Sequence, residues 1–197
     1  MEPKKITKIN GPVIIASGDE DFAMHDMVYI GTYKLLGEVI KLDGKNATIQ
    51  CYEDTSGMKI GEEVISTKAP LSLDLGPGMI GSVYDGIQRP LKTLEDKSGP
   101  FISKGIQASK LDETKKWHFV PTLSCGNTVE NNFILGTVKE TESVTHKILY
   151  PHKQNGKIIE IVPEGDYCIT DVIAKVQLEN GKIVELTMVQ HWPVRIQ

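Results

Sequence analysis

The chain has 197 residues, 40% of them hydrophobic, and 22 Lys+Arg against 26 Asp+Glu give a formal net charge of −4. This length allows one domain or two small ones with a buried core, and the mild acidity argues against a general nucleic-acid binder, which needs a basic face. The most apolar runs last about four or five residues, far short of the ~20 needed to cross a membrane, and no secretory signal is present.

The cysteines Cys51, Cys125 and Cys168 are odd in number and widely spaced, which is typical of free thiols in a reducing cytosol. The 18 glycines indicate many turns. These features predict a cytoplasmic, turn-rich protein without direct membrane insertion.

Strand periodicity dominates the chain, and three Gly-containing pairs predict tight turns. Strands over 36–42 and 47–52 flank Asp43-Gly44-Lys45-Asn46. The same device recurs at Asn155-Gly156-Lys157 and at Asn180-Gly181-Lys182. Such pairs between β-rich runs are a strong hairpin signal, because Gly and Asn tolerate the positive φ of type I′ turns. The sequence therefore predicts a mainly β protein.

Helical signals are few. Ile80, Val83 and Tyr84 are spaced to form one helical turn before Gly86 and Pro90. A short helix is expected over 91–97, directly after the proline.

Composition divides the chain into zones. Residues 1–70 combine several strands with Gly turns, which predicts a small closed antiparallel barrel that leaves no bare sheet edges. Residues 71–110 are irregular and rich in Gly and Pro, including Gly99 and Pro100. Residues 111–187 are β-rich again, and residues 188–197 close the chain.

A weak internal repeat lies in the third zone. Gly126 is followed by Asn132 and Ile134 at the spacings that separate Gly165 from Asp171 and Ile173, with Val129 and Cys168 also equivalent. Two similar units predict a two-fold β-sandwich that looks like the barrel-sandwich of lipoyl and biotinyl carrier domains. Those carriers present a modified lysine at a hairpin tip, and the corresponding stretch, Lys139 to Val144, has no such motif.

The stretch Gly76-Pro77-Gly78-Met79-Ile80-Gly81 fits G-x-G-x-x-G, the pattern of a dinucleotide-binding loop. A long helix should follow that loop, but Gly86 and Pro90 interrupt the next stretch, and Asp96 does not end a second strand. A turn-rich linker is the favoured interpretation. A stand-alone dinucleotide enzyme stays as an alternative.

The phosphate-binding P-loop requires Gly-Lys followed by Ser or Thr, because that hydroxyl holds the metal ion. The three Gly-Lys pairs are followed by Asn46, Ile158 and Ile183, so the motif is absent from this sequence.

Metal-binding and nucleophilic patterns are equally weak. No two histidines have the i, i+4 spacing of a helical metal site, and no C-x-x-C is present, although His146 and His152 could approach Cys125. Ser124-Cys125-Gly126 lacks the nucleophile elbow. We predict no catalytic, cofactor-binding or metal-binding residues in this chain.

Aromatic residues close to prolines suggest an interaction surface. They occur in 117–121, at Tyr150-Pro151-His152 and in His191-Trp192-Pro193-Val194-Arg195. Trp and Arg are common interface anchors, but a buried core explains the aromatics about as well.

Several strings closely resemble the catalytic A subunit of V-type and A-type rotary ATPases. The most specific are Asp85-Gly86-Ile87-Gln88-Arg89-Pro90-Leu91 and Trp192-Pro193-Val194-Arg195. Leu75 to Ile80, Leu186-Thr187-Met188, Ile9 to Val13 and Tyr52 to Gly57 add to the match, which runs from end to end. One departure is Thr67-Lys68-Ala69-Pro70, where many relatives carry Thr-Gly.

The resemblance implies a domain layout. Residues 1–70 would form the N-terminal barrel, and residues 71–110 the first strand and loops of the nucleotide-binding domain. Residues 111–187 would form the "bulge", or non-homologous region, and residues 188–197 would return to the nucleotide-binding domain.

In this family the P-loop follows the Trp-Pro-Val-Arg string by a few tens of residues. The resemblance therefore implies an N-terminal fragment of a longer subunit, cut ahead of its active site. The full subunit would use ATP and Mg²⁺ and couple ATP turnover to proton or sodium transport, while the fragment itself would hold no cofactor and be inactive.

The implied partners are the B subunits and other A subunits of the hexamer, through the barrel, and the peripheral stalk, through the bulge. The assembly would lie on the cytoplasmic face of the membrane. The alternative from another class is a lipoyl- or biotinyl-like carrier or binding module.

Overall fold

The protein is described by a computed structural model that covers residues 3–99 and 103–195. Met1, Pro100, Ile196 and Gln197, which fall within the predicted segments, lie outside these ranges. Strands dominate the described residues and the one helix, α1 (Leu91–Ser98), has eight residues, so the predicted mainly β class is confirmed.

Six strands of the N-terminal region close into the predicted antiparallel barrel, in the order β1-β2-β5-β4-β3-β6. They are β1 (Lys4–Asn10), β2 (Val13–Ser17), β3 (Asp26–Ile30), β4 (Leu35–Asp43), β5 (Asn46–Cys51) and β6 (Glu63–Pro70). Alternate side chains point inward along these strands, because successive residues of a strand face opposite sides. Fully buried Ile14, Val28, Ile49 and Val64 fill the interior, so this barrel is a packed core.

The turn between β4 and β5 forms as predicted. Asp43 pairs with Asn46, which leaves Gly44 and Lys45 as a two-residue loop, and Gly44 has a φ of +57°. An L side chain at that position would be strained, so glycine fixes the register of the barrel's longest hairpin.

Eight strands after α1 form the predicted sandwich of two four-stranded sheets. The sheet orders are β11-β10-β8-β13 and β15-β14-β12-β9. The first sheet contains β8 (Lys116–Pro121), β10 (Ile134–Lys139), β11 (Thr145–Leu149) and β13 (Gly165–Cys168). The second contains β9 (Thr128–Val129), β12 (Gly156–Ile161), β14 (Ala174–Leu178) and β15 (Ile183–Leu186).

The internal repeat corresponds to a structural duplication. One sheet's strand order becomes the other's when each strand is exchanged with the strand four places away in the chain. The exchanged pairs are β8 with β12, β9 with β13, β10 with β14 and β11 with β15. The shared core includes fully buried Phe119, Tyr150, Ile158 and Val176. The two-fold sandwich predicted from the repeat is therefore confirmed.

The turn predicted at Asn155-Gly156-Lys157 is wrong. Gly156 is the first residue of β12 and pairs with both Val129 and Leu178 in the middle of the sheet. A Cβ on Gly156 would lie 2.4 Å from Val176 Cγ1, so glycine serves here to make room for a neighbouring strand. The turn at Gly181, with a φ of +81° between β14 and β15, is confirmed.

A two-stranded sheet joins β7 (Ser72–Leu75) to β16 (Gln190–Pro193). The short helix predicted after Pro90 is confirmed as α1, which is anchored by fully buried Leu94. The helical turn expected at Ile80 to Tyr84 is wrong, because Gly81 has a φ of +85° and Tyr84 forms an isolated β-bridge with Pro90.

Contacts group the described residues into two compact units. The barrel unit contains those of 1–73, 91–108 and 193–197, and the sandwich unit contains 74–90 and 109–192. The described residues of 91–108, which belong to the predicted 71–110 segment, thus group with the barrel.

Over residues 3–99 and 103–195, no helix is long and apolar enough to cross a membrane.

Candidate interaction sites

The glycine loop at 76–81 binds a carboxylate of the sandwich unit. Gly78 N donates to Glu140 Oε1 at 2.7 Å, and Ile80 N donates to the same oxygen at 3.0 Å. The Glu140 side chain is only 2% exposed, and its other oxygen lies 3.2 Å from His146 Nδ1. Burial alone would raise the pKa of Glu140, but these donors outweigh it and hold the pKa below the usual value.

This arrangement accounts for the G-x-G-x-x-G pattern without a dinucleotide. Two backbone N–H groups that would face a pyrophosphate are already bonded to Glu140. The stretch that follows forms a turn and the Tyr84–Pro90 bridge in place of the long helix of a dinucleotide fold. The glycines therefore build a structural loop.

The position of Glu140 also argues against a lipoyl- or biotinyl-like carrier. It is the first residue of the β10–β11 turn, where Glu140 N and Thr141 N both donate to Val144 O. The residues from Glu140 to Val144 include no lysine. The hairpin tip that would carry a modified lysine instead holds an inward-pointing carboxylate.

Four of the five histidines, His25, His118, His146 and His191, lie beside carboxylates at separate places. His118 contacts Glu164 and Asp166 on an exposed surface, and its pKa is raised by these two hydrogen-bonded carboxylates. His191 Nδ1 lies 2.8 Å from Asp74 Oδ1. Cys125 Sγ contacts Ile159 O at 3.1 Å.

No group of three or more His, Cys, Asp or Glu residues within 3–99 and 103–195 has the geometry to hold a metal ion. The prediction that the chain has no site residues stays a prediction.

A buried carboxylate in the barrel unit organises three other side chains. Glu38 on β4 is 6% exposed, and its Oε1 lies 2.8 Å from His25 Nδ1 and 2.5 Å from Arg195 Nη1. Tyr52 donates to Glu38 Oε2 at 2.5 Å. Burial and this bond to a carboxylate raise the pKa of Tyr52 to about 12. Sequence reasoning singled out Arg195 only within the Trp-Pro-Val-Arg string and missed Glu38.

The barrel carries exposed apolar side chains on two joined turns and on the strand that follows them. Tyr33 is 52% exposed in the β3–β4 turn, and Ile60 is 70% exposed in the loop before β6. The two turns are joined because Thr32 N donates to Glu62 Oε2 at 2.8 Å. Ile65 on β6 is 49% exposed. We call Tyr33, Ile60 and Ile65 the barrel-turn patch.

Most of the aromatic residues beside prolines belong to the core. Trp117 is 6% exposed, and Phe119 and Tyr150 are fully buried. Trp192 is 48% exposed, and its Nε1 donates to Gln190 Oε1 at 2.8 Å. Core packing therefore explains three of these aromatics, and Trp192 alone among the four presents a large surface to solvent.

Two protein-family models match the chain. One, described as "ATP synthase alpha/beta family, beta-barrel domain", matches residues 6–68. The other, described as "ATPsynthase alpha/beta subunit barrel-sandwich domain", matches residues 108–195. These two matches fall on the barrel and on the sandwich.

Curated relatives match nearly the whole chain. The A subunit of the A-type ATP synthase from Methanosphaera stadtmanae is 49% identical over 97% of this chain and 32% of the relative. The corresponding protein from Pyrococcus abyssi is 46% identical over 98% of the chain and 19% of the relative. The V-type ATP synthase alpha chain of Thermoanaerobacter sp. (strain X514) is 46% identical over 96% of the chain and 32% of the relative.

The chain therefore spans a third or less of the length of these relatives. The barrel, the sandwich and the end-to-end similarity agree on one assignment: the chain belongs to the ATP synthase alpha/beta family and corresponds to part of the A subunit of the A-type and V-type enzymes.

Proposed function

We propose that this chain supplies assembly contacts to the A subunit of a V-type or A-type rotary ATPase. The observation that carries the proposal is the barrel-turn patch, where Tyr33, Ile60 and Ile65 expose apolar surface on a barrel whose interior is already filled. Exposed apolar side chains on turns that are joined to each other favour a protein interaction site. The barrel thus offers a surface to neighbouring subunits and no lumen for a ligand.

The barrel's partners are the neighbouring B and A subunits of the hexamer. The sandwich contacts the peripheral stalk, as the family resemblance implies for the bulge. The complete assembly lies on the cytoplasmic face of a membrane and couples ATP turnover to proton or sodium transport.

ATP and Mg²⁺ belong to the complete subunit, and the residues present here do not fit them. Each Gly-Lys pair is followed by Asn46, Ile158 or Ile183, none of which supplies the hydroxyl that a P-loop needs for its metal ion. The amides of the glycine loop at Gly78 and Ile80 are bonded to Glu140. We therefore assign no step of ATP hydrolysis to this chain.

The barrel contact is tested with the substitution Ile60→Asp in a full-length A subunit mixed with B subunits. Native mass spectrometry should show loss of the hexamer, because a carboxylate would have to be desolvated at the interface. Leu42→Asp is the matched control, since Leu42 is also an exposed apolar residue of the barrel, 36% exposed on β4. Hexamer yields that fall equally for both variants, or for neither, would contradict the role of the patch.

The nucleotide assignment is tested by titrating the chain with Mg·ATP in a calorimeter. We expect no binding at micromolar concentrations. Micromolar affinity, or ATP turnover that persists through purification, would overturn the assignment of catalysis to the rest of the subunit.

A further inference from the structure

A cleft of about 400 Å³ opens on the second sheet of the sandwich. It lies beside the β14–β15 turn, and Gly156, Lys157 and Glu179 contribute to its walls. Thr128, Asn155, Gln177, Leu178 and Gly181 complete them. No hydrogen bond or ion pair joins the Glu179 carboxylate to any other residue of 3–99 and 103–195.

The duplication of the sandwich indicates what such a cleft accepts. The exchange that relates the two sheets replaces β8 with β12 and β10 with β14. The start of β12 and the end of β14, which border the cleft, therefore correspond to the start of β8 and the end of β10. That counterpart is the place where the glycine loop at 76–81 is bound.

The glycine loop shows how the counterpart is occupied. Glu140, the first residue after β10, accepts the N–H groups of Gly78 and Ile80. Between these two amides, Met79 packs against the sandwich core. A Cβ on Gly78 would lie only 3.3 Å from Trp117 Cζ2 on β8, so the loop backbone lies close to this strand.

The equivalent position at the cleft keeps the carboxylate acceptor, which is exposed at Glu179 and buried at Glu140. Glu179 is the first residue after β14, as Glu140 is after β10, and both are glutamates. The repeat spacing that relates Gly126 to Gly165 also relates Trp117 to Gly156. The position that a Gly156 side chain would take is filled by Val176 and Tyr150, so the open space lies beside the exposed Lys157 and Gln177. No loop of the described chain fills this cleft.

We propose that this cleft binds a glycine-containing loop of a partner polypeptide. Two backbone N–H groups of that loop, two residues apart, donate to the Glu179 carboxylate, and the apolar side chain between them enters the cleft. This inference rests on the proposed contact role of the sandwich and adds the position and the chemistry of the contact.

The probe is a cyclic peptide that carries residues 75–82, the segment that occupies the counterpart. It is titrated into the ¹⁵N-labelled chain, and amide chemical shifts are followed by NMR. We expect saturable shifts at the residues that line the cleft. A second peptide, N-methylated at the positions of Gly78 and Ile80, lacks the two donors and should bind more than about tenfold more weakly.

Glu179→Ala should weaken the first peptide by a similar factor. Glu142→Ala removes the same charge from the exposed turn of the other hairpin and should leave affinity unchanged. The proposal is overturned if no saturable shift occurs at the cleft, or if N-methylation or Glu179→Ala has no effect. Failure here leaves hexamer formation by the barrel-turn patch unaffected, so the two proposals fail separately.

Discussion

Arg195 Nη1 lies 2.5 Å from Glu38 Oε1, although the two residues are 157 positions apart in the sequence. Val194 N also donates to Leu71 O at 2.8 Å, so this late segment is bonded to the barrel unit through both backbone and side chain. Glu38 is largely buried, and a buried carboxylate needs such partners because its desolvation is costly. The pair therefore fixes where residues 193–195 lie on the barrel.

The Glu38 cluster predicts an altered tyrosine titration. Tyr52 has its pKa raised to about 12, first by burial and then by its bond to the Glu38 carboxylate. Glu38→Gln removes the negative charge, so the pKa of Tyr52 should fall, while burial keeps it above the ordinary value of about 10. Ultraviolet titration of the phenolate, with Tyr52→Phe to identify the signal, measures the change. An unchanged tyrosine pKa in Glu38→Gln would show that the bond has no such effect.

The Glu140 contacts predict a pH-dependent loss of stability. Because the pKa of Glu140 is lowered by folding, its contribution is present above the unfolded value of about 4.3 and is lost as the pH falls. Glu140→Gln should cost the sandwich about 1.5–3 kcal/mol near pH 7. The difference from the natural chain should shrink below about pH 4.

Urea unfolding followed by tryptophan fluorescence measures this effect, since Trp117 and Trp192 both lie in the sandwich unit. Glu142→Gln, on the exposed part of the same turn, is the control and should change stability little. A deficit for Glu140→Gln that stays constant from pH 7 to pH 3 would contradict the ionised contact.

Adding a single methyl group at Gly156 should destabilise the sandwich through a steric clash. In Gly156→Ala the new Cβ would lie 2.4 Å from Val176 Cγ1 and 3.1 Å from Gln177 O. We expect a loss of about 1–3 kcal/mol in the free energy of unfolding, typical of overpacking. Gly86→Ala is the control, because a Cβ there has no atom within 4 Å and its φ is not positive. Equal stability of the two variants in urea would count against the strand placement of Gly156.

The Cys51 and Cys125 thiols should differ in reactivity. Burial raises the pKa of Cys51, which disfavours the reactive thiolate, whereas Cys125 is exposed. A thiol reagent such as Ellman's should modify Cys125 in the native chain and reach Cys51 only after denaturant is added. Cys125→Ser removes the exposed thiol, so a native-state reaction that includes Cys51 in this variant would be inconsistent with the buried placement.

The sequence predicts the tight turns well, because the backbone conformation of a turn depends mainly on its own few residues. Gly44 and Gly181 have positive φ angles in two-residue or similarly tight turns, as Asp-Gly and Asn-Gly pairs favour. Gly156 was misassigned because the same Asn-Gly pair also occurs where a glycine only makes room for a neighbouring strand. Sequence alone does not separate these two reasons for a glycine.

The interaction sites depended on contacts between distant residues. Glu140 and Gly78 are 62 positions apart, and neither residue shows a pattern that pairs them. The resemblance to rotary ATPase subunits predicts assembly contacts only for whole segments, residues 1–70 and 111–187. It named no residue of the barrel-turn patch, since the exposure of Ile65 depends on which side of a closed barrel its side chain faces.

The assembly role is tested most directly by using the chain as a competitor. Purified chain is added in excess to full-length A and B subunits, and the hexamer is quantified by native mass spectrometry. If the chain carries the barrel contacts, the hexamer yield should fall with increasing chain, and the Ile60→Asp chain should have little effect. A yield that stays constant at a large excess of the natural chain, or one that both chains lower equally, would contradict the assembly role.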